Sequence, residues 1–219
     1  MKGRASYLEE KEKKMLKGLL YLVLIIVLVG AAAGAYHLFQ VAERNKQALK
    51  PYQGPRQVYQ SDLGKVLVIY YSLTGHTRAI ADQIAALTQA DTYEIKAAQP
   101  LDLGWFYLNV KKQLKTKQYP QLVQNTPDLS QYDVIFVGSP VWWYTVSTPV
   151  LSFLQQTDFM GKKVVPFSTQ GSNFGRFFDV FQQEARHAVL QQGESFNNVN
   201  ASYDDAVHNK IVDWLRRLK

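Results

Sequence analysis

The chain has no cysteine among its 219 residues, which excludes disulfides, thiolate nucleophiles and cysteine-ligated metals. That absence fits an extracytoplasmic location. Its four histidines (His37, His76, His187 and His208) are scattered, with no His-x-x-x-His or Glu-x-x-His pairing, so no metal site is expected. Excess charge is missing from most of the chain. Residues 1–60 carry ten Lys/Arg against four Glu and supply +6 of the net +7, whereas residues 61–219 carry fifteen against fourteen. A nucleic-acid binder needs a basic face on its folded part, and here the folded part is near neutral, so no nucleic acid is expected as a partner.

A charge-free stretch of 22 residues, 18–39 (GLLYLVLIIVLVGAAAGAYHLF), follows a polar, mostly basic tail over residues 1–17. As a helix it would be about 33 Å long, enough for a bilayer core of about 30 Å. It is apolar on all sides, unlike the striped helix of a soluble core. We expect a transmembrane helix. The small residues Ala33, Gly34 and Ala35 also resemble a signal-peptide cleavage site, but the apolar run exceeds the usual length of such a region, and an uncleaved anchor is expected. Six basic residues precede the span and four follow within the next twenty. This tilts the topology toward an N-terminus inside the cytoplasm and a domain outside it. Residues 40–63 are polar with Pro51, Gly54 and Pro55, and read as a short helical continuation followed by a linker.

The folded part, residues 64–219, is organised around residues 65–84 (KVLVIYYSLTGHTRAIADQI). An apolar, β-branched run gives way to Ser72, Leu73, Thr74, Gly75, His76 and Thr77, and a helical pattern begins. A buried strand feeding a hydroxyl-rich loop that opens a helix makes an anion site, because the first amides of a helix are unpaired and its dipole favours negative charge. The loop lacks Gly-x-Gly-x-x-Gly for a pyrophosphate and Gly-Lys-Ser/Thr for a nucleoside triphosphate. Three neutral hydroxyls and a permissive glycine suit one terminal monophosphate. The plainer alternative is a turn in which Ser72 and Thr74 cap the helix.

Short apolar runs then alternate with helical segments. Strands are expected at 65–71, 92–96, 133–138 and 163–168, with a weaker one at 195–200. Helices are expected at about 77–89, 105–116, 148–156, 174–190 and 204–218. Such alternation implies an α/β fold with a parallel sheet and helices on both faces. Ligands bind such sheets at the carboxyl ends of the strands. Three loops would meet there: residues 72–77, then Ser139 followed by Pro140, Val141, Trp142, Trp143 and Tyr144, then Thr169, Gln170, Gly171, Ser172 and Asn173. One suits an anion, one offers consecutive aromatics, and one is polar with a glycine. A ligand with a phosphate tail and a flat heteroaromatic head would use all three. Against this, at least one aromatic of the three should be ordinary core, and residues 169–173 could be a plain turn. Lys111, Lys112, Lys115 and Lys117 form a basic cluster, either a solvated helix face or a guide for an acidic partner or a lipid surface.

The strings YYSLTGHTRAIADQIA, YDVIFVGSPVWWYTVSTPVLSFL and GKKVVPFSTQGSNFG, in that order, resemble the flavodoxin family, most closely the flavodoxin-like group with a Pro-x-Trp-Trp motif. The resemblance covers about residues 64–219. It implies a five-stranded parallel sheet of order 2-1-3-4-5 that binds FMN non-covalently. Ser72, Thr74, Gly75, His76 and Thr77 would hold the phosphate. Pro140, Val141, Trp142, Trp143 and Tyr144, with Thr169, Gln170 and Gly171, would flank the ring. Four positions depart from the family pattern. His76 stands for asparagine, Tyr144 for the glycine that commonly follows the two tryptophans, Ser147 for a frequent proline, and Gln170-Gly171 for Gly-Gly. No catalytic side chain is implied, since a bound flavin carries the redox chemistry itself. The expectation is a membrane-tethered electron carrier whose partner is a redox protein or a quinone. The alternatives are a flavin-dependent NAD(P)H:quinone-type reductase and a flavin-free binding module.

Overall fold

The computed structural model describes residues 2–99, 104–123, 125–199 and 201–218, with side chains from residue 10 onward. The chain divides into two units, residues 1–44 and residues 45–219. The first unit is part of one continuous helix, α1 (Lys2–Leu49). An 18-residue window of it reaches a mean hydropathy of 2.5, and none of that window is buried within the protein. Leu19, Leu22, Ile25, Ile26 and Leu28 all stand exposed. The helix is therefore long and apolar enough to cross a membrane.

The second unit is a parallel α/β sandwich. Its elements run β1 (Val66–Tyr70), α2 (His76–Thr88), β2 (Asp91–Glu94), α3 (Phe106–Thr116), β3 (Val134–Trp142), β4 (Thr145–Val146), α4 (Thr148–Gln156), β5 (Lys163–Gln170), α5 (Phe177–Glu184), β6 (Val189–Leu190), β7 (Glu194–Asn197) and α6 (Asp204–Leu215). The sheet order is β2-β1-β3-β5-β6, with β7 also parallel to β5 and β4 folded back on β3. This is the expected order 2-1-3-4-5 with its last strand in two pieces. The break has a chemical cause. Pro166 lies mid-strand in β5 and has no N–H to donate. Pairing on that side stops at Val164↔Leu190 and resumes at Phe167↔Glu194. The Gln192 carbonyl in the gap accepts a hydrogen bond from Trp214 Nε1 at 2.8 Å. Asn200, the last residue of the expected fifth strand, lies outside the described residues.

Alternate residues of each central strand feed two cores. Leu67, Ile69, Ile135, Val137 and Val164 pack with Phe153, Phe177 and Phe181 on one face. Val66, Val68, Phe136, Val165 and Phe167 pack with Ile84, Ile211, Trp214 and Leu215 on the other. Each fully buried side chain of this size stabilises the fold by about 1.5–3 kcal/mol.

Two expectations need correction. The helix expected at 174–190 spans only Phe177–Glu184. Beyond Ala185 the backbone is claimed elsewhere: Phe159 N–H donates to Arg186 O at 3.0 Å and Gly161 N–H to His187 O at 2.8 Å, which delivers the chain into β6. Residues 45–63, expected as part of a linker, belong to the folded unit. Leu49 is buried in the α2/α6 core, and the following stretch is strapped along α6. Asn209, buried in mid-helix, donates through Nδ2 to Tyr52 O (2.9 Å) and Pro55 O (3.2 Å), and its Oδ1 accepts from Gln57 N–H at 2.9 Å. Arg216 adds bonds to Gln57 Oε1 at 2.6 Å and Val58 O at 3.2 Å. Asn209→Ala strips several backbone groups of their partner at once and should cost about 2 kcal/mol. The expected outcome is faster tryptic cleavage at Arg56 with the remaining domain still folded.

Candidate functional site

The carboxyl ends of β1, β3 and β5 lie side by side, and the three predicted loops leave from them. In the first loop, Ser72 Oγ accepts from Gly75 N–H at 3.1 Å and closes a tight turn. Gly75 is the N-cap of α2 at φ +91°, where a side chain would be strained. No atom lies within 4 Å of where its Cβ would stand, so the turn opens onto free space. The first intrahelical bond runs from Ala79 N–H to Gly75 O at 2.9 Å, which leaves the amides of His76, Thr77 and Arg78 without an earlier helical carbonyl. Thr74 and His76 are exposed, and Ser72 is half-buried. Thr77 is buried, and its hydroxyl shares a 2.8 Å hydrogen bond with Thr169 Oγ1, tying the first loop to the third. Arg78, the nearest cation on α2, is ion-paired with Glu94, which raises its pKa further. The turn therefore presents helix-start amides and neutral hydroxyls, with no free cation among the described residues on the first turn of α2.

The second loop differs from expectation. β3 continues through Pro140 and Val141 to Trp142 and reverses in a two-residue hairpin, with Val141↔Val146 and Trp142↔Thr145 paired. The turn residues Trp143 (φ +49°) and Tyr144 (φ +60°) are both left-handed, as a type I′ turn demands. That geometry explains why glycine is common at the position of Tyr144. Trp142 is core, edge-on to Tyr71 at 5.5 Å and Phe106 at 4.8 Å. Burial, with a smaller contribution from Glu94, pushes the Tyr71 hydroxyl up to about 12, so this neighbour of Ser72 stays neutral. Trp143 stays half-exposed, its Nε1 donating to Tyr107 O at 3.1 Å, and Tyr144 is well exposed. The departure at Ser147 also has a role: its N–H donates to Ser139 Oγ at 3.0 Å, and the two buried hydroxyls bond at 2.9 Å, closing the base of the hairpin.

In the third loop Gln170 is turned inward. Its Oε1 accepts from Ser168 Oγ (2.9 Å) and its Nε2 donates to Asn197 Oδ1 (3.1 Å), so its side chain latches β5 to β7, and its carbonyl accepts from Asn198 N–H at 2.7 Å. Gly171 opens onto free space like Gly75, and its carbonyl accepts from Asn45 Nδ2 at 3.0 Å. A Cβ on Gly175 (φ +55°) would stand 2.5 Å from both Tyr144 Cβ and Tyr144 O, so the third loop packs directly on the hairpin. Arg176 N–H donates to that same carbonyl at 2.8 Å.

Sequence reasoning missed three contributors: the Ser139–Ser147 pair, the α3 start that supports Trp143, and Asn45. The run Trp105-Phe106-Tyr107 was a visible signal for the second, whereas nothing local marked Asn45.

Two substitutions test the hairpin. Tyr144→Gly relieves a left-handed side chain and should raise stability by about 0.5–1 kcal/mol in urea unfolding. Gly175→Ala forces the two loops apart and should lower stability by about 2 kcal/mol or more in the same measurement.

The comparisons with known proteins agree with this geometry. The flavodoxin family model matches residues 65–216. A protein from Bacteroides uniformis assigned as a flavoprotein has a similar structure at 28% identity and a TM-score of 0.59, over 70% of this chain and 98% of that one. A flavoprotein from Lactobacillus acidophilus, solved in complex with FMN, shares the fold at 24% identity and a TM-score of 0.56, over 60% of this chain and 93% of that one. Among curated proteins, an NAD(P)H dehydrogenase (quinone) from Cupriavidus metallidurans is 30% identical over 102 residues, 43% of this chain. The match spans 47% of that relative, about half its length. The chain belongs to the flavodoxin family.

Proposed function

We propose that this protein is a membrane-tethered flavodoxin that binds FMN without covalent attachment and exchanges electrons with a redox partner or quinone at the membrane. One observation carries the reading. An open anion turn, a half-exposed aromatic hairpin and an open glycine loop stand on adjacent strand ends, locked together by Thr77–Thr169 and by Gly175 against Tyr144. The residues fit the cofactor. Thr74 and the amides of His76 and Thr77 suit a phosphate, with the Ser72–Gly75 bond shaping the turn around it. Trp143 and Tyr144 suit a flat ring, and the open backbone at Gly171 suits its polar edge. His76, exposed at the first position of α2, stands beside the phosphate place. A bound flavin would supply the redox chemistry, and the chain's part is to orient it, cover it and set the charge around it.

The apolar helix and the charge bias across it support a tether with the folded unit outside the cytoplasm. Tethering would raise the effective concentration of the domain near a membrane partner. A second reading, a flavin-dependent NAD(P)H:quinone reductase, is favoured by the similarity to the Cupriavidus metallidurans protein.

The test is the absorption spectrum of the purified full-length protein. The expected outcome is the pair of visible bands of an oxidised flavin, either as purified or after adding FMN, and a colourless protein that gains none overturns both readings. Gly75→Ala should weaken FMN binding about tenfold, since a side chain at φ +91° costs roughly 1–2 kcal/mol or distorts the turn. Steady-state NADPH oxidation with a quinone acceptor is expected only under the second reading. A reporter fused to the C-terminus should be active only outside the cytoplasm.

A further inference from the structure

We infer that the loop end of the sheet lies flat on the membrane surface, docked by an aromatic and lysine rim on anionic lipid headgroups. The inference rests on the membrane reading above and adds which face of the domain meets the lipid.

Two independent observations converge on it. The first is where the chain enters the folded unit. Asn45 is its first residue, it is buried, and its side chain bonds Gly171 of the third loop. The charge-free run ends at Phe39, and the six peptide steps from there to Asn45 reach no further than about 20 Å. This limit holds whatever direction the helix takes. The entry point is fastened as well, with Leu49 in the core and the following strap held by Asn209 and Arg216. The third loop, which Asn45 bonds, therefore stays within that reach of the apolar run.

The second observation is what surrounds the loops. Trp105 (63% exposed), Tyr107 (72%), Leu108 (59%), Trp143 (43%), Tyr144 (60%) and Phe174 (41%) stand in water at this end. A bound flavin would account for Trp143 and Tyr144, but Trp105, Tyr107 and Leu108 belong to α3 and its start, outside the three loops. Lys111 Nζ sits over the Trp143 ring at 5.5 Å, and Lys112 and Lys115 are exposed further along α3. Exposed Trp and Tyr mixed with Lys is the composition of a membrane interface. The rings settle at headgroup depth while lysines reach the phosphates. A docking face for an acidic soluble protein would use the lysines but leave this much aromatic surface in water between encounters.

The cysteine-free chain makes the test direct. Single cysteines are placed at Leu108→Cys on the rim and Gln131→Cys at the opposite end of the sheet. Both positions are exposed, so neither change disturbs the core. Each is labelled with a small fluorophore in the full-length protein, reconstituted in phosphatidylcholine vesicles with and without phosphatidylglycerol. The readout is quenching by a headgroup spin-labelled lipid. The expected result is at least threefold stronger quenching at position 108 than at 131, falling about twofold or more when phosphatidylglycerol is left out. Equal quenching at both positions, or stronger quenching at 131, overturns the orientation while leaving the membrane tether standing. Lipid quenching at neither, with aqueous iodide reaching both, marks the rim as a face for a soluble partner and also overturns it. Quenching at 108 that ignores lipid charge overturns the role of the lysines. Protein that washes off the vesicles in carbonate overturns the tether itself, and the docking with it.

Discussion

Everything at the site depends on the register of three parallel strands. Tyr70 pairs with Gly138, and Gly138 with Phe167, so the central strands reach one level together. β3 and β5 then run two residues further, to the Pro140↔Thr169 pair. A parallel sheet buried on both faces has little freedom to slip, because a one-residue shift would exchange the contents of its two cores. Moving Val68 to the side of Ile69 would put each into the other's packing. The heights of the loops are therefore set by hydrophobic burial deep in the sheet. The hydroxyls of Thr77 and Thr169 can then meet at 2.8 Å although 92 residues separate them.

Against that rigid base the hairpin at Trp143 and Tyr144 stores strain. Two non-glycine residues in left-handed conformation cost roughly 1–2 kcal/mol each. Several contacts offset this. The Trp143 indole donates to Tyr107 O, Lys111 covers its ring, and the Tyr144 carbonyl accepts from Arg176 N–H. Gly175 fits against Tyr144 because it has no side chain. A glycine at position 144 would remove the strain and one large exposed ring. Its replacement by tyrosine exchanges stability for aromatic surface at the rim of the site, which is how strain is commonly used at functional positions.

Much of this was legible in the sequence, for physical reasons that also mark where reading stopped. The strands at residues 66–70 and 134–138 announce themselves by continuous apolar runs, since both faces are buried. The turn at residues 72–77 was legible because a tight strand-to-helix turn needs small, hydroxyl-bearing residues and a glycine at the helix start. β4 was not, because a Trp-Tyr turn lacks the Asn-Gly or Asp-Gly signal that usually marks a hairpin. Gln170 read as a loop residue because its polarity suits a loop equally well, and only its pairing with Ser168 and Asn197 shows it to be interior. The strap was hidden most completely. Residues 50–61 have the composition of a linker, and their order is imposed from far away by Asn209, which in sequence is one polar residue in an amphipathic helix.

Charge at the turn of residues 72–77 follows from the same economy of placement. A monophosphate there would meet the positive end of α2, equivalent to about half an elementary charge, and a set of neutral donors. Arg78 is one turn away but is committed to Glu94 at the end of β2, so the pair adds almost no net charge. Freeing Arg78 by removing Glu94 would place an uncompensated cation beside the turn and tighten the hold on any anion, at some loss of selectivity for a terminal phosphate over other anions. Neutral donors instead discriminate by geometry, because amides and hydroxyls fixed by Gly75 and Ser72 satisfy only an anion whose oxygens point the right way. Strand register, helix polarity and the Arg78–Glu94 pair thus act together. They would make shape, more than charge, decide which anion this end of the sheet could hold.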